Sequence, residues 1–217
     1  MSVPEIPSCG FYAILDTGYI NDSEWEYQAD AILSGGACIL QIRAMGDPLE
    51  RVRELVERVQ PVARSHKVPL VINDHLELAA TTPGLGLHMG QGDGPIDEAR
   101  KRLGPDRILG LSTHSLDEAK KAMEASDILS YFTIGPIFPS QTHAEYKPVG
   151  IDLIRAVASL EPALPFFCIG GITPDNTEKV VAAGARGIIA ASFSLRHADL
   201  ESTARFYTQQ LTGERDA

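Results

Sequence analysis

Residues 37–59 read ACILQIRAMGDPLERVRELVERV, and this stretch combines the two patterns that decide the fold. Its first seven residues are mostly apolar and lack the polar alternation of a half-exposed strand, which is typical of a parallel strand buried on both faces. Residues 49–59 carry apolar side chains at spacings of three and four, which predicts an amphipathic helix. We expect Asp47 to be its N-cap residue and Pro48 its first helical residue. The stretch therefore predicts one strand–helix unit.

The same unit recurs along the chain. Eight apolar segments alternate with amphipathic ones, and no linker, low-complexity tract or charge block separates them, which favours a single domain over residues 1–217. Further helix starts are predicted at Ser115 and Thr173, and the two helices between about 74 and 104 look short. Eight units predict an α/β fold of the (β/α)8 TIM barrel type, with a doubly wound open sheet as the alternative. The predicted strands are residues 11–15, 37–43, 69–73, 84–88, 107–112, 129–135, 165–170 and 186–192.

Composition limits the classes of function. The formal net charge is −10 and the pI is about 5.0, so broad electrostatic attraction to nucleic acid or anionic lipid is not expected. A negatively charged substrate then requires a local cluster of donors or a metal ion. No apolar run reaches the roughly 18 residues that span a bilayer, no signal-peptide pattern opens the chain, and the three cysteines match no metal-ligand spacing. We expect a cytoplasmic protein without nucleic-acid or membrane partners.

Functional residues of a barrel are expected just after the strands, at the C-terminal face. Polar residues and glycines gather at those positions in this chain. They are Gln41, Arg43, Asn73, Asp74, His88, Gln91, Asp93, Ser112, His114, Gly170, Gly171 and Ser192.

Two carboxylates follow neighbouring strands. Asp74 and Asp93 come after the third and fourth predicted strands, so their side chains are expected to converge on one cation. Carboxylate and amide oxygens suit Mg²⁺, which keeps several waters and often bridges to substrate phosphates. The alternative is structural, with Asp74 as the N-cap of the next helix and Asp93 as a turn residue. These two residues alone leave both interpretations open.

A pair of glycines in CIGGITPDN (168–176) lies between a strand and a helix start. Without side chains, Gly170 and Gly171 let backbone N–H groups approach a phosphate at the helix N-terminus. The loops after strands seven and eight often carry such a site in barrels, and Ser192 offers a further donor. A tight turn without a ligand is the alternative.

Two long polar side chains, Gln41 and Arg43, lie two residues apart on one strand and share a face. Arg43 suits bidentate contact with a phosphate, whereas Gln41 can pair a donor and an acceptor with a heterocycle. The alternative for Arg43 is a salt bridge with Asp74. His114 is the best candidate general acid or base near this face, because imidazole titrates near neutral pH. The other histidines there, His75, His88 and His143, match no zinc motif.

Seven segments, in this order, resemble the thiamine phosphate synthases and their thiazole tautomerase relatives. They are QIR with Gly46, VINDHLELA, GLHMGQGD, ILGLSTHSLDEA, IGPIFPSQT, FFCIGGITPDN and AGARGIIAAS, and they span roughly residues 11–192. The resemblance implies a (β/α)8 barrel that couples hydroxymethylpyrimidine diphosphate to thiazole phosphate, giving thiamine phosphate and diphosphate. It also implies dissociative substitution, in which diphosphate leaves, a pyrimidine carbocation forms and the thiazole nitrogen attacks.

The resemblance also implies roles for individual residues. It places Mg²⁺ on Asp74 and Asp93, diphosphate on Arg43 and Ser112, pyrimidine on Gln41 and Asn73, and thiazole phosphate on Gly171 and Ser192. His114 and Thr142 are taken as further substrate contacts. The expected partners are small phosphorylated molecules. Barrels of this size often pair through helices, and the apolar residues of ESTARFYTQQL (201–211) keep a homo-oligomer open.

Two lysines of the synthases are replaced in this chain. The synthases usually read REKG where residues 43–46 read RAMG, so Met45 stands at the position of a diphosphate-binding lysine. They read FPTxTK where this chain ends the motif with His143, which joins Arg43 and Ser112 as a candidate catalytic group. Lys147 is the candidate to compensate. Because the tautomerases tend to lose the two carboxylates that are kept here, synthase activity is favoured over a thiazole tautomerase or a non-catalytic paralogue that binds thiazole phosphate or thiamine phosphate.

Overall fold

Eight parallel strands close into a barrel in the computed structural model, which describes residues 6–139, 147–191 and 199–213. Each strand pairs with the next along the chain, and β1 pairs with β8 from Gly10↔Gly187 to Ile14↔Ala191. The predicted (β/α)8 barrel is confirmed, and the open-sheet alternative is wrong. The strands are β1 (Gly10–Asp16), β2 (Ile39–Arg43), β3 (Leu70–Asn73), β4 (Gly86–Met89), β5 (Leu109–Thr113), β6 (Tyr131–Ile134), β7 (Phe166–Cys168) and β8 (Gly187–Ala191).

A helix follows each strand. The helices are α1 (Trp25–Ser34, after a 3₁₀ turn at Asp22–Glu24), α2 (Leu49–Ser65), α3 (Leu76–Thr81), α4 (Ile96–Leu103), α5 (Leu116–Glu124), α6 (Ile151–Ala158), α7 (Pro174–Ala182) and α8 (Leu200–Thr212). The predicted short helices are α3, with 6 residues, and α4, with 8.

Local hydrogen bonds explain two of the helix starts, those of α5 and α7. Ser115 Oγ accepts from the Glu118 N–H at 3.2 Å, and the Asn176 side chain accepts from the Thr173 N–H at 2.9 Å, so both predicted N-caps are confirmed. The prediction for α2 is wrong by one residue, because Pro48 is the N-cap. The Asp47 carboxylate instead accepts from Arg51 at 2.8 Å.

Large side chains fill the lower part of the barrel. The rings of Tyr12, Tyr131 and Phe167 meet edge to face, with centroids 5.5 to 5.6 Å apart. Gly110 makes room for this layer, since a Cβ there would lie 2.1 Å from the Tyr131 ring. The pocket described below lies towards the C-terminal ends of the strands.

The last helix packs against the start of the chain. Tyr207 of α8 is buried and stacks on Phe11 of β1 with ring centroids 4.9 Å apart. Part of the apolar surface of residues 201–211 is thus used inside the protein, and the homo-oligomer stays a prediction. Among the described residues, no helix combines the length and apolar character that crossing a membrane requires.

Candidate active site

A pocket of about 680 Å³ opens at the C-terminal end of the barrel. Isoleucines of the inner wall, Ile14, Ile169 and Ile189, contribute its apolar lining. Eleven of the twelve strand-end candidates from the sequence line it together: Gln41, Arg43, Asn73, Asp74, His88, Gln91, Asp93, Ser112, His114, Gly170 and Gly171. The expectation that functional residues follow the strands therefore identified residues that share one cavity.

The two carboxylates approach each other at the rim. Asp74 has a left-handed backbone (φ 65°), its N–H donates to the His88 carbonyl at 3.0 Å, and α3 starts only after His75. Asp74 is thus not the N-cap that the structural alternative expected. Asp93 Oδ2 accepts from the Gly90 N–H at 2.6 Å, so Asp93 does hold a turn as well as facing the pocket.

Like charge and partial burial perturb this pair. Loss of hydration, followed by the hydrogen bond to Asp93 and the charge of Asp93, raises the pKa of Asp74 to about 7, while Arg43 acts in the opposite direction. Below about pH 7 the Asp74 carboxyl therefore holds a proton. A divalent cation in the same place would satisfy both charges at once.

Arg43 is held by an aspartate that the sequence analysis missed. Its Nη1 lies 2.5 Å from Asp16 Oδ2, and the side chains are only 14% and 5% exposed. Asp16 Oδ1 also accepts from the Gly18 N–H at 2.8 Å. The alternative for Arg43 was a salt bridge with Asp74; the structure pairs Arg43 with Asp16, and Arg43 acts on Asp74 through its charge. The missed signal was simple: Asp16 is the polar residue that ends the apolar run FYAIL.

A row of amides connects β2 to the carboxylates. Gln41 Nε2 donates to Asn73 Oδ1 at 3.2 Å, and Asn73 Nδ2 donates to the Asp74 carboxylate. Gln41 is only 2% exposed, and this bond assigns its amide: the nitrogen end donates to Asn73 within the row. On the next strands, Gln91 Nε2 donates to the Ser112 carbonyl at 2.6 Å.

Ser112 is supported from inside the barrel. Its Oγ lies 2.9 Å from Nε2 of His88, whose Nδ1 lies 3.0 Å from the Tyr131 hydroxyl. Burial lowers the pKa of His88 to about 4, against a small opposing effect of Asp93, so this imidazole is neutral at physiological pH. Sequence spacing gave no sign of this contact, which joins residues from three strands.

His114 lies at the pocket with a defined tautomer. Its Nδ1 lies 2.7 Å from the Gly135 carbonyl, which can only accept, so the proton is on Nδ1 and Nε2 is the basic nitrogen. Its backbone N–H donates to Glu118 Oε2 at 2.6 Å. The position fits the predicted substrate contact, and the role of general acid or base stays a prediction.

The glycine pair forms a tightly packed turn. Gly171 has φ +61°, and a Cβ there would lie 2.5 Å from the Pro139 carbonyl oxygen and 2.8 Å from Phe138 Cβ. The Gly171 carbonyl accepts from Asn176 Nδ2 at 2.9 Å. Only glycine fits this turn, which borders both the pocket and the start of α7.

Four further candidate residues either lie outside the described residues or do not line the pocket. Thr142, His143 and Ser192 are outside the described residues, so their predicted roles stay predictions. Lys147 is exposed and is not among the described residues that line the pocket. Met45 is 61% exposed at the rim, where it also borders a neighbouring recess of about 430 Å³ beside Asp16 and Arg43.

Fold and site together define a (β/α)8 barrel protein whose ligand pocket lies at the C-terminal mouth. The family described as thiamine monophosphate synthase matches residues 11–193, and the chain belongs to this family. A thiamine-phosphate synthase of Halalkalibacterium halodurans is 34% identical over 198 residues, covering 91% of this chain and 92% of that protein.

Two other similarities extend the comparison. The thiamine biosynthesis bifunctional protein ThiED of Geobacter sulfurreducens is 36% identical over 190 residues, but the chain, matched over 88% of its own length, spans only 37% of that protein. A solved thiamine phosphate pyrophosphorylase of Pyrococcus furiosus superposes with a TM-score of 0.82 at 24% identity, covering 95% of this chain and 96% of that one. The structural likeness shows that the fold is shared.

Proposed function

We propose that the protein is a thiamine phosphate synthase. In this reaction hydroxymethylpyrimidine diphosphate and thiazole phosphate, both small phosphorylated molecules, give thiamine phosphate and diphosphate. The observation that carries the proposal is the meeting of two carboxylates, an arginine, a serine and a glycine turn in one pocket, within a chain of this family. The curated relatives named thiamine-phosphate synthase support the same activity.

The chemistry of the carboxylate pair supports a requirement for Mg²⁺. Asp74 and Asp93 would hold the ion together with waters and substrate oxygens, because no group of three or more acidic, histidine or cysteine side chains suited to a metal occurs within the described ranges. When bound, Mg²⁺ would supply positive charge to the diphosphate. The like-charge contact that raises the pKa of Asp74 is an independent reason for a cation at this place.

The protein's own groups account for the departure of diphosphate. The carbon–oxygen bond to diphosphate breaks, its electron pair leaves with the oxygen, and a carbon–nitrogen bond to the thiazole forms. Arg43, fixed by Asp16, and the Ser112 hydroxyl would donate hydrogen bonds to the leaving oxygens. Preorganised donors of this kind stabilise developing negative charge without reorganising during the reaction.

Orientation of the two substrates falls to opposite parts of the pocket. The amide row of Gln41 and Asn73 would pair with the pyrimidine, while the Gly170–Gly171 turn and the start of α7 would hold the thiazole phosphate. The reacting atoms would then be held close together, which replaces an encounter in solution. Glycine is required at the turn, and the phosphate would be held there by backbone N–H groups. This role therefore does not depend on a charged side chain.

A direct test is release of diphosphate by the purified protein. We expect turnover only when hydroxymethylpyrimidine diphosphate, thiazole phosphate and Mg²⁺ are all present, and a loss of about 100-fold or more in Asp93→Ala. Asp97→Ala is the matched control, because Asp97 is an exposed acid of α4 that does not line the pocket. Absence of turnover at saturating substrate concentrations would contradict the proposal.

Two observations favour a second candidate function. Met45 stands at the rim where the synthases usually carry lysine, and His114 offers a basic nitrogen in the pocket. A thiazole tautomerase, or a paralogue that binds thiazole phosphate or thiamine phosphate, would keep the pocket and lose synthase turnover. Such a protein should show a higher melting temperature with either ligand but release no diphosphate.

Restoring the rim lysine distinguishes a weakened synthase from a repurposed pocket. Met45→Lys should raise turnover about tenfold if a charge-assisted contact to diphosphate is what the site has lost. Met45→Gln has a similar length without the charge and should change little. His143→Lys is the companion variant in the second altered motif. No gain from either lysine would favour the tautomerase or binding function.

The remaining features of the proposal concern location and assembly. Cys168 is a buried free thiol and Cys38 a partly buried one, which fits a reducing compartment such as the cytoplasm. We also propose no nucleic-acid or membrane partner, given the acidic composition. A homo-oligomer remains part of the proposal, to be tested by light scattering.

A further inference from the structure

A row of polar groups runs through the otherwise apolar barrel interior and ends at the pocket. The hydroxyls of Tyr12 and Tyr131 lie 2.8 Å apart, Tyr131 lies 3.0 Å from His88 Nδ1, and His88 Nε2 lies 2.9 Å from Ser112 Oγ. Both tyrosines are fully buried and His88 is 6% exposed. Of the four, His88 and Ser112 are among the described residues that line the pocket, and Ser112 is the more exposed of the two.

The protons in this row can be arranged in only two directions. A neutral imidazole carries one N–H, so if Nε2 donates to Ser112, then Nδ1 accepts from Tyr131, and the reverse arrangement exchanges both roles. In the reverse direction Ser112 donates to Nε2, Nδ1 donates to Tyr131, and Tyr131 donates to Tyr12. The Tyr12 hydroxyl proton would then need another acceptor.

Burial decides between the two directions. Among the residues that the structure describes, Tyr131 is the sole hydrogen-bond partner of the Tyr12 hydroxyl, and Tyr12 is 0% exposed. The reverse direction would therefore leave a buried donor without an acceptor, which is costly. In the forward direction each proton has an acceptor: Tyr12 donates to Tyr131, Tyr131 to Nδ1, and Nε2–H to Ser112.

Ser112 is then left with its own proton for the pocket. Its Oγ accepts from His88 and, at the longer distance of 3.5 Å, from the Thr133 hydroxyl. With its oxygen engaged by donors, the Ser112 O–H is available to a hydrogen-bond acceptor in the cavity. We propose that His88 is a positioning residue, which together with Tyr131 and Tyr12 fixes the Ser112 hydroxyl as a donor to an anionic oxygen of the ligand.

The low pKa of His88 supports the neutral imidazole that this direction requires. The ligand chemistry, an anionic phosphate or diphosphate oxygen, rests on the proposed function. The direction of the hydrogen bonds does not rest on it, since it follows from the buried Tyr12 alone. The two parts can therefore fail separately.

The first experiment reads the tautomer in the wild-type protein. The ¹⁵N shifts of imidazole distinguish a protonated from a bare nitrogen, and His88→Gln assigns the His88 signals. We expect a protonated Nε2 and a bare Nδ1 near neutral pH. A protonated Nδ1 with a bare Nε2 would overturn the inference without any assay of activity.

The second experiment measures binding of inorganic diphosphate with Mg²⁺ by calorimetry. A Gln side-chain nitrogen can replace His Nε2, whereas the shorter Asn does not reach Ser112. We expect His88→Asn to weaken binding about tenfold, as Ser112→Ala does, and His88→Gln to stay within about twofold of wild type. In the Ser112→Ala background, His88→Asn should have no further effect, because both changes remove one contact.

A matched tyrosine pair separates the row from general packing. Tyr131→Phe should weaken diphosphate binding severalfold, although Tyr131 is not among the described lining residues. Tyr207→Phe should leave it unchanged, since Tyr207 is equally buried and its hydroxyl has no partner among the described residues. Equal effects of both changes, or of His88→Gln and His88→Asn, would overturn the positioning role. Absence of diphosphate binding in the wild type would instead overturn the ligand and the proposed function, with the tautomer result still standing.

Discussion

On one side of the pocket, β2 to β4 contribute charged and amide side chains, whereas on the other, β6 to β8 contribute backbone that turns around glycines. Asp74 and Asp93 are exposed at the rim and oppose each other electrostatically. The turn at Gly170 and Gly171 is packed against the loop that follows β6, with no room for a Cβ. This difference indicates that replacing a charged residue on the first side costs little stability. A change at the glycine turn on the second side should affect both ligand binding and stability.

The largest effect is expected on the glycine side. Gly171→Ala would combine a left-handed backbone with contacts of 2.5 Å and 2.8 Å to Pro139 and Phe138. We expect a loss of about 3 kcal/mol in the free energy of unfolding, together with loss of turnover. Thermal or urea unfolding and diphosphate release measure the two.

Gly213→Ala is the control for this change. Gly213 also has a left-handed backbone (φ 75°, ψ 4°), but nothing lies within 4 Å of a Cβ there and it does not line the pocket. Gly213→Ala should lower the free energy of unfolding by only about 1 to 2 kcal/mol, the cost of a left-handed residue, and should keep its activity. Equal losses of stability in the two variants would show that packing at the turn is unimportant.

On the carboxylate side we expect activity and stability to separate. Asp93→Asn keeps the size and the acceptor oxygen for the Gly90 N–H but removes a negative charge beside Asp74. Turnover should fall about 100-fold, while the melting temperature stays equal or rises because a like-charge contact is relieved. The rise should be clearest above about pH 7, where Asp74 is ionised. A lower melting temperature at that pH would remove the contrast between the two sides.

The smallest effect concerns the interior beneath the carboxylate side. The pKa of His88 is about 4 in the folded protein, against about 6.5 in an unfolded chain. Since the unfolded chain binds the extra proton, stability is full above about pH 6.5 and is lost as pH falls towards 4. At about pH 5 the loss should be about 2 kcal/mol. Urea unfolding at neutral pH and at about pH 5 should show a shallower dependence in His88→Gln, and identical dependence would refute the assignment.

Sequence patterns predicted the barrel and most of the pocket because both depend on local order. Apolar strands buried on two faces, helix periodicity and polar strand ends are all visible within about ten residues. Asp16 directly follows the first predicted strand, so the same rule applies to it, but its role as the partner of Arg43 depends on the register of β1 against β2. The contact between Tyr12 and Tyr131 joins residues 119 apart in the chain, and no local pattern encodes it. Pairing of Arg43 with Asp16 instead of Asp74 likewise depends on which neighbouring strand places its carboxylate closer.

Closure of the barrel between β1 and β8 has a consequence for synthesis of the protein. Strand β8 ends at Ala191, so the ring of eight strands can form only after residues up to Ala191 have left the ribosome. Until then the first half of the chain has edges that pair with nothing, and long-range pairing of this kind is slow and exposed to aggregation. Truncated chains ending before β8 should therefore depend on chaperones. The pocket should form late in folding, after β8 has paired with β1.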